Sequence, residues 1–296
     1  MAANNPPRKH HYLPVFYLRR WAGSDARICE FSRPFDRVVP RRTHPAGTGY
    51  EVDLYSLKGF DPELAQQVEQ RFFHIADSLA ADALERLETT GPAGYWSSPM
   101  RSAWSRFMIS LVLRMPADIA ALRARWKDLF PATDPESEAE YAKLAKDGDP
   151  PTFSEYIAQM PVETVEKHLF EVFVPLVDNK NIGNVINDMV WSVVHTETAG
   201  FDLLTSDRPI IRTPLRDDLA HVILPIGPRL LFVAVNNADT LKQVQQIPIQ
   251  KLVRITNQKV VEQATKLVIG RDDKQLRFAT NHFGAEPVES LIKVAS

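Results

Sequence analysis

The spacing of apolar positions changes twice along this chain, from strand-like to helical and back to strand-like. In residues 1–60, Tyr12 to Trp21 is dense in aromatic and branched residues and Arg27 to Phe31 alternates apolar with polar. Val38 to Arg42 predicts an edge, and Pro34, Pro40, Pro45, Gly47 and Gly49 punctuate the way to Tyr50–Leu57. Asp61-Pro62 then opens a helix, because an N-cap acceptor is followed by proline in the first turn. Leu64, Val68, Phe72, Ile75, Leu79, Ala83 and Leu87 follow at steps of three and four, one face of a long helix that stops near Gly91-Pro92.

A second helix starts at Ser98-Pro99. From Phe107 to Met115 it is apolar almost all round, which predicts a central buried position, and Pro116 breaks it. Helical spacing resumes at Ile119, Leu122, Trp126 and Leu129. Residues 131–152, with Pro131, Pro135, Pro150, Pro151 and an acidic excess, predict an exposed insertion carrying a short helix. A further helix runs from about Glu163 to Val177.

The last third is β-rich: Met189–His195, Phe201–Thr205, Ile210–Thr213, Val222–Pro225 and Leu230–Val235, with a final helix over about Thr256–Ile269. The order strands, helices, strands, helix gives an α+β class. The N- and C-terminal strand groups are expected to share a sheet, packed on the central helical section, which makes residues 1–296 a single domain.

Composition narrows function mainly by exclusion. Lysine plus arginine total 35 against 37 acidic residues, a net charge of -2, so no global field draws the chain to nucleic acid or anionic lipid. Local basic patches remain at Arg8–His11 with Arg19 and Arg20, and at Arg41-Arg42. Cys29 is the sole cysteine, which excludes an internal disulfide and a thiolate cluster, and it reads as a small strand residue in a cytoplasmic protein. The start lacks a secretory apolar region, and the apolar stretch at 107–115 is too short to span a membrane. Phosphate-loop, dinucleotide-fingerprint and nucleophile-elbow patterns are absent, as is metal-ligand spacing among the histidines.

Four segments carry a resemblance. They are Lys9-His10-His11-Tyr12-Leu13-Pro14 running on through Phe16-Tyr17-Leu18 to Trp21, and Arg114-Met115-Pro116. The others are Leu203-Leu204-Thr205-Ser206-Asp207-Arg208-Pro209-Ile210 with Pro225-Ile226-Gly227-Pro228 beyond it, and Asn257 with Ala264 in the last helix. In this order and spacing the chain resembles the domain-of-unknown-function 4238 family of bacterial proteins, from residue 9 to about 270. The resemblance implies the domain definition and no established activity.

His11 is the first candidate for chemistry. Pro14 restricts the backbone near it, and a rigid imidazole serves as general base or ligand. A backbone-bonded histidine at a strand start is the competing structural role, and His10 points to the opposite face. Asp207, in the turn Ser206-Asp207-Arg208-Pro209, either accepts backbone hydrogen bonds or, as a carboxylate at a strand end, holds a metal or orients His11. Arg114, on a mostly apolar helix with Ser110 and Arg106 one and two turns earlier, requires an anion: Asp207, Glu69 or a substrate phosphate. Tyr12, Ser206 and Asn257 complete the candidate substrate-binding set. The leading expectation is a hydrolase of a phosphodiester or nucleotide, nuclease- or toxin-like, with His11 and Asp207 catalytic. The alternative is a non-catalytic ligand- or partner-sensing protein in phage defence or stress response. The expected partner is a small molecule or nucleic acid rather than a membrane.

Overall fold

The computed structural model describes residues 8–124 and 135–288, apart from the side chains of residues 62 and 63. In chain order the first elements are β1 (Lys9–His11), α1 (Val15–Leu18) extended by a 3-10 turn at Arg19–Trp21, β2 (Ile28–Ser32), β3 (Val39–Thr43) and β4 (Tyr50–Val52). Helices α2 (Pro62–Ala65), α3 (His74–Thr89), α4 (Ser98–Leu113), α5 (Pro116–Ala124), α6 (Pro135–Leu144), α7 (Phe153–Gln159), α8 (Val162–Val177) and α9 (Lys180–Asp188) follow. The chain ends with β5 (Val190–His195), β6 (Thr205–Ser206), β7 (Ile211–Arg212), β8 (His221–Gly227), β9 (Leu230–Val235), α10 (Ala238–Gln245), α11 (Ile249–Glu262), β10 (Leu267–Gly270) and α12 (Leu276–His282).

The two ends of the chain share a sheet of order β3-β2-β10-β6, so the α+β reading and the shared sheet both hold. The central strands of the last third build a second sheet, β5-β9-β8-β7, and β1 pairs with β4 alone. All the pairings are antiparallel. Alternation along each strand divides the apolar material between the two faces. Phe232 and Ala234 of β9 join the main core with Trp104 and Trp191, whereas Leu231, Val233 and Val235 meet Leu252 and Val253 of α11. Phe31 of β2 and Val268 of β10 meet Val261 and Ala264, beyond them on the α11 side. One helix therefore covers the outer faces of both sheets, and the helical section packs on the inner side.

Helices α7, α9, α10 and α12 are absent from the sequence expectation, and of the expected strand Phe201–Thr205 only Thr205 is strand. Three further differences have a clear local cause. Tyr12–Trp21 turns helical after Pro14, because Tyr17 N and Leu18 N both donate to the Pro14 carbonyl. The last helix lies earlier, at Ile249–Glu262, and Leu267–Gly270 is the strand joining the two chain ends in one sheet. The branched run Leu267-Val268-Ile269 favours that strand, and the Asp207 carboxylate accepts the Thr265 and Lys266 N–H groups where the chain leaves the helix. Helix α6 buries none of its residues, while residues 131–134, Trp126 and Leu129 lie outside the described residues.

The third difference shapes the site. The long helix of 61–91 is not regular: residues Glu69–Phe73 form a π-turn between α2 and α3. A π-turn accommodates one residue more than an α-turn and rotates everything after it. The inward positions beyond it are Phe73, Ala80 and Leu84 together with Ala83 and Leu87 of the expected stripe, while Ile75 and Leu79 of that stripe are exposed. The helix end is as expected, with Gly91 adopting a positive φ of 68°.

Candidate functional site

β1 sends its two histidines to opposite sides. His10 is fully buried, its Nδ1 accepts the Tyr55 N–H at 2.9 Å, and its Nε2–H is left to donate to Gln66 Oε1. It stacks on Tyr55, whose ring in turn stacks on Phe73 at 4.4 Å between centroids. That role is structural. His11 is half-buried beside Tyr50, and its Nε2 has no partner among the described residues.

Arg114 follows the last turn of α4 and is wholly buried. Its position is held from the main chain, since the Tyr55 hydroxyl donates to the Arg114 carbonyl at 2.9 Å. Its guanidinium lies over the rings of Phe73 and Phe107, each at 5.7 Å. Nη1 donates to Asp77 Oδ1 at 3.0 Å and Oδ2 at 3.3 Å, whereas Nε and Nη2 have no partner among the described residues. Nε and Nη2 form one edge of the guanidinium, the fork that grips an oxyanion with two parallel hydrogen bonds. Asp77 fixes the opposite corner and leaves that fork free.

Glu69, Phe73 and Asp77 recur every four residues across the π-turn and α3, so they share the side of the helix that meets Arg114. Glu69 Oε2 is a further buried oxygen without a partner among the described residues. Burial, then the like charge of Asp77, pushes the Glu69 carboxyl up to about 7, against the opposing pull of Arg114. Burial also raises Asp77, again opposed by Arg114. Burial lowers the His11 imidazole, a hydrogen bond with the Ala46 backbone works the other way, and the charges of Arg114, Lys9 and His10 lower it further. With one ring nitrogen engaged by the Ala46 carbonyl, the unpartnered Nε2 carries the lone pair of a neutral imidazole. Arg114, a permanent cation, thus acts on both a base, His11, and an acid that titrates near neutrality, Glu69. Separated acid and base pKa values of this kind are the pattern of proton-transfer sites.

The other sequence candidates are placed elsewhere. Asp207 accepts three hydrogen bonds, from Thr265 N at 3.0 Å, Thr265 Oγ1 at 2.6 Å and Lys266 N at 2.6 Å. Burial raises its carboxyl, and those bonds oppose the rise. Ser206 Oγ accepts the Arg208 N–H at 3.1 Å. Asn257 Oδ1 accepts the Leu204 N–H, and its amide donates to the Asp202 carbonyl and Gln275 Oε1. Each of these three holds backbone in place. Tyr12 is buried next to His11 in sequence, but it is raised by burial and by the charges of Asp207, Glu51 and Glu30, a different group from that around His11. His11 and Arg114 are therefore electrostatically coupled, while Asp207, Ser206 and Asn257 serve the sheet.

The Thr205–Pro209 turn nevertheless touches the helix corner that bears Arg114. Arg208 Nη1 donates to the Val112 carbonyl at 3.1 Å and lies 2.8 Å from Asp118 Oδ2. The segments 9–14, 114–116 and 205–209, far apart in sequence, thus converge around one corner of α4 and α5. A family model described as a protein of unknown function, DUF4238, matches residues 9–274. The chain belongs to the DUF4238 family. No curated protein and no solved structure matches it. The family region runs from β1 through β10 and stops just before α12, so it contains both sheets and every residue of the His11–Arg114 cluster.

Sequence reading passed over Asp77 and named Glu69 only as one of several partners for Arg114. The available signal was two acidic residues eight apart on a helix otherwise read for its apolar stripe. The π-turn hid it, because regular 3.6-residue spacing turns residues 69 and 77 away from the face that is buried. Among the described residues no group of three or more histidine, cysteine, aspartate or glutamate side chains is arranged to hold a metal ion, and no helix is long and apolar enough to cross a membrane.

Proposed function

We propose that the His11–Glu69–Arg114 cluster binds a phosphate ester and hydrolyses it by general acid–base catalysis, acting on a phosphodiester or nucleotide. The observation that carries this reading is the free Nε/Nη2 fork of a buried arginine in the same electrostatic cluster as an unpartnered imidazole nitrogen and an unpartnered carboxyl oxygen. In this reading the fork takes two phosphate oxygens and neutralises charge that grows in the transition state. His11 Nε2 removes the proton of the attacking water, and protonated Glu69 delivers one to the leaving oxygen. Asp77 keeps the guanidinium in register. The assignment of Asp207 as a catalytic group is replaced by Glu69, because both Asp207 oxygens are engaged by residues 265 and 266.

The test is a hydrolysis screen with bis(p-nitrophenyl) phosphate and with linear and cyclic nucleotides. Replacing His11 by alanine is expected to lower turnover on the order of a hundred- to ten-thousandfold. Full activity in His11→Ala refutes the assignment. A second reading, a non-catalytic sensor of an anionic ligand in phage defence or stress response, is favoured by the complete burial of Arg114. Such a guanidinium is reached only past half-buried neighbours and suits a ligand that stays bound. Binding of the same phosphate esters without turnover, abolished by loss of the Arg114 charge, identifies the sensor.

A further inference from the structure

A cavity of about 250 Å³ lies between the C-terminal half of α4, the α8–α9 corner and β7–β8 of the second sheet. Its floor is apolar and buried, with Met108, Ile186 and Val222. Leu176 and Ile182, 37% and 40% exposed, mark its mouth. Only two side chains of its lining are polar, Asn179 and Arg212. Arg212 is exposed, and its side chain makes no hydrogen bond or ion pair with the described residues. Asn179 Oδ1 caps α9 by accepting the Ile182 N–H at 3.0 Å, which leaves its amide N–H groups for a ligand. The cavity shares α4 with the His11 site but none of that site's residues.

An apolar cavity with one permanent cation and one amide donor at its mouth fits an amphipathic monoanion. Size sets the chain: a dry cavity of about 150 Å³ holds benzene, so this one takes about ten non-hydrogen atoms. We propose that the cavity binds a medium-chain monocarboxylate, with the alkyl chain on Met108, Ile186 and Val222 and the carboxylate on Arg212 and the Asn179 amide. The polar share of the lining is too small for a nucleotide, and Arg212 repels an amine. The inference rests on this cavity alone and stands or falls independently of the phosphate-ester reading.

Isothermal titration calorimetry of the full chain with octanoate, octan-1-ol and octylamine tests it. Octanoate is expected to bind and octylamine not to. Arg212→Gln, at an exposed position that leaves the fold alone, is expected to weaken octanoate about tenfold or more through loss of the charge-assisted pair, without changing octan-1-ol. Val112→Phe, from a half-buried lining position, is expected to block both octanoate and octan-1-ol. Absence of octanoate binding at millimolar concentration overturns the proposal. So does equal binding of octanoate and octylamine, or an Arg212→Gln variant that binds octanoate unchanged.

Discussion

Replacing Glu69 by glutamine probes the balance of charge around Arg114 without changing shape. The Glu69 carboxyl is raised from 4.5 to about 7 in the folded protein, by burial first and by Asp77 second. In the unfolded chain it ionises near its ordinary value. Between about pH 4.5 and 7 the folded state therefore holds a proton that the unfolded state has released, and stability falls as pH rises through that window. Below the window Glu69 is neutral in both states and costs nothing. Above it the full penalty is present, and at ~1.36 kcal/mol per pKa unit it amounts to about 3 kcal/mol. Partial exposure of Glu69 trims the expected value to about 2 kcal/mol. Glutamine cannot ionise, so Glu69→Gln should match the parent at about pH 4.5 and exceed it by about 2 kcal/mol at pH 8. Urea unfolding followed by tryptophan fluorescence reads the difference. With a slope of about 3 kcal/mol per molar, the midpoint shifts upward by roughly 0.7 M at the alkaline end. A midpoint difference that does not change with pH, or a variant weaker than the parent at pH 8, refutes the electrostatic account of the cluster.

Two further expectations separate binding residues from structural ones. Arg114→Met gives up the Asp77 pair but also removes two buried donors that none of the described residues satisfies, each costing about 1–3 kcal/mol. Its stability should therefore change by less than about 2 kcal/mol, against about 3–5 for a fully satisfied buried pair, while phosphate-ester binding is lost; thermal unfolding with a binding titration checks both. Asp207→Ala strands three donors at Thr265 and Lys266 and should cost at least about 3 kcal/mol of stability, with phosphate-ester affinity intact in whatever fraction remains folded.

Local rules were legible wherever a short stretch settles its own conformation. Leu230–Val235 is β9 with the expected bounds, and the helix expected from Glu163 to Val177 is α8 at Val162–Val177. The second helix begins where serine and proline predict it, although Ser97 rather than Ser98 is its cap, accepting the Met100 N–H. His11 and Arg114 stood out because each is a chemical misfit in its segment, an imidazole beside a constrained turn and a guanidinium on an apolar helix. Asp207 misled for a related reason: a carboxylate at a strand-end turn looks the same whether it faces a ligand or the backbone sixty residues later.

The amino-acid order by itself determined the class, many of the strands and helices, and the two side chains at the centre of the proposed site. These follow from side-chain period, capping chemistry and proline, all of which act within a few residues. Only tertiary packing decided which carboxylates join Arg114. The π-turn at Glu69–Phe73 rotates Asp77 inward, and its position next to Phe73 and Tyr55 is set by contacts with β1 and α4, which are distant in sequence. Only the folded chain could also show that Asp207 is consumed by Thr265 and Lys266, since that competition for its lone pairs exists once β10 lies beside β6.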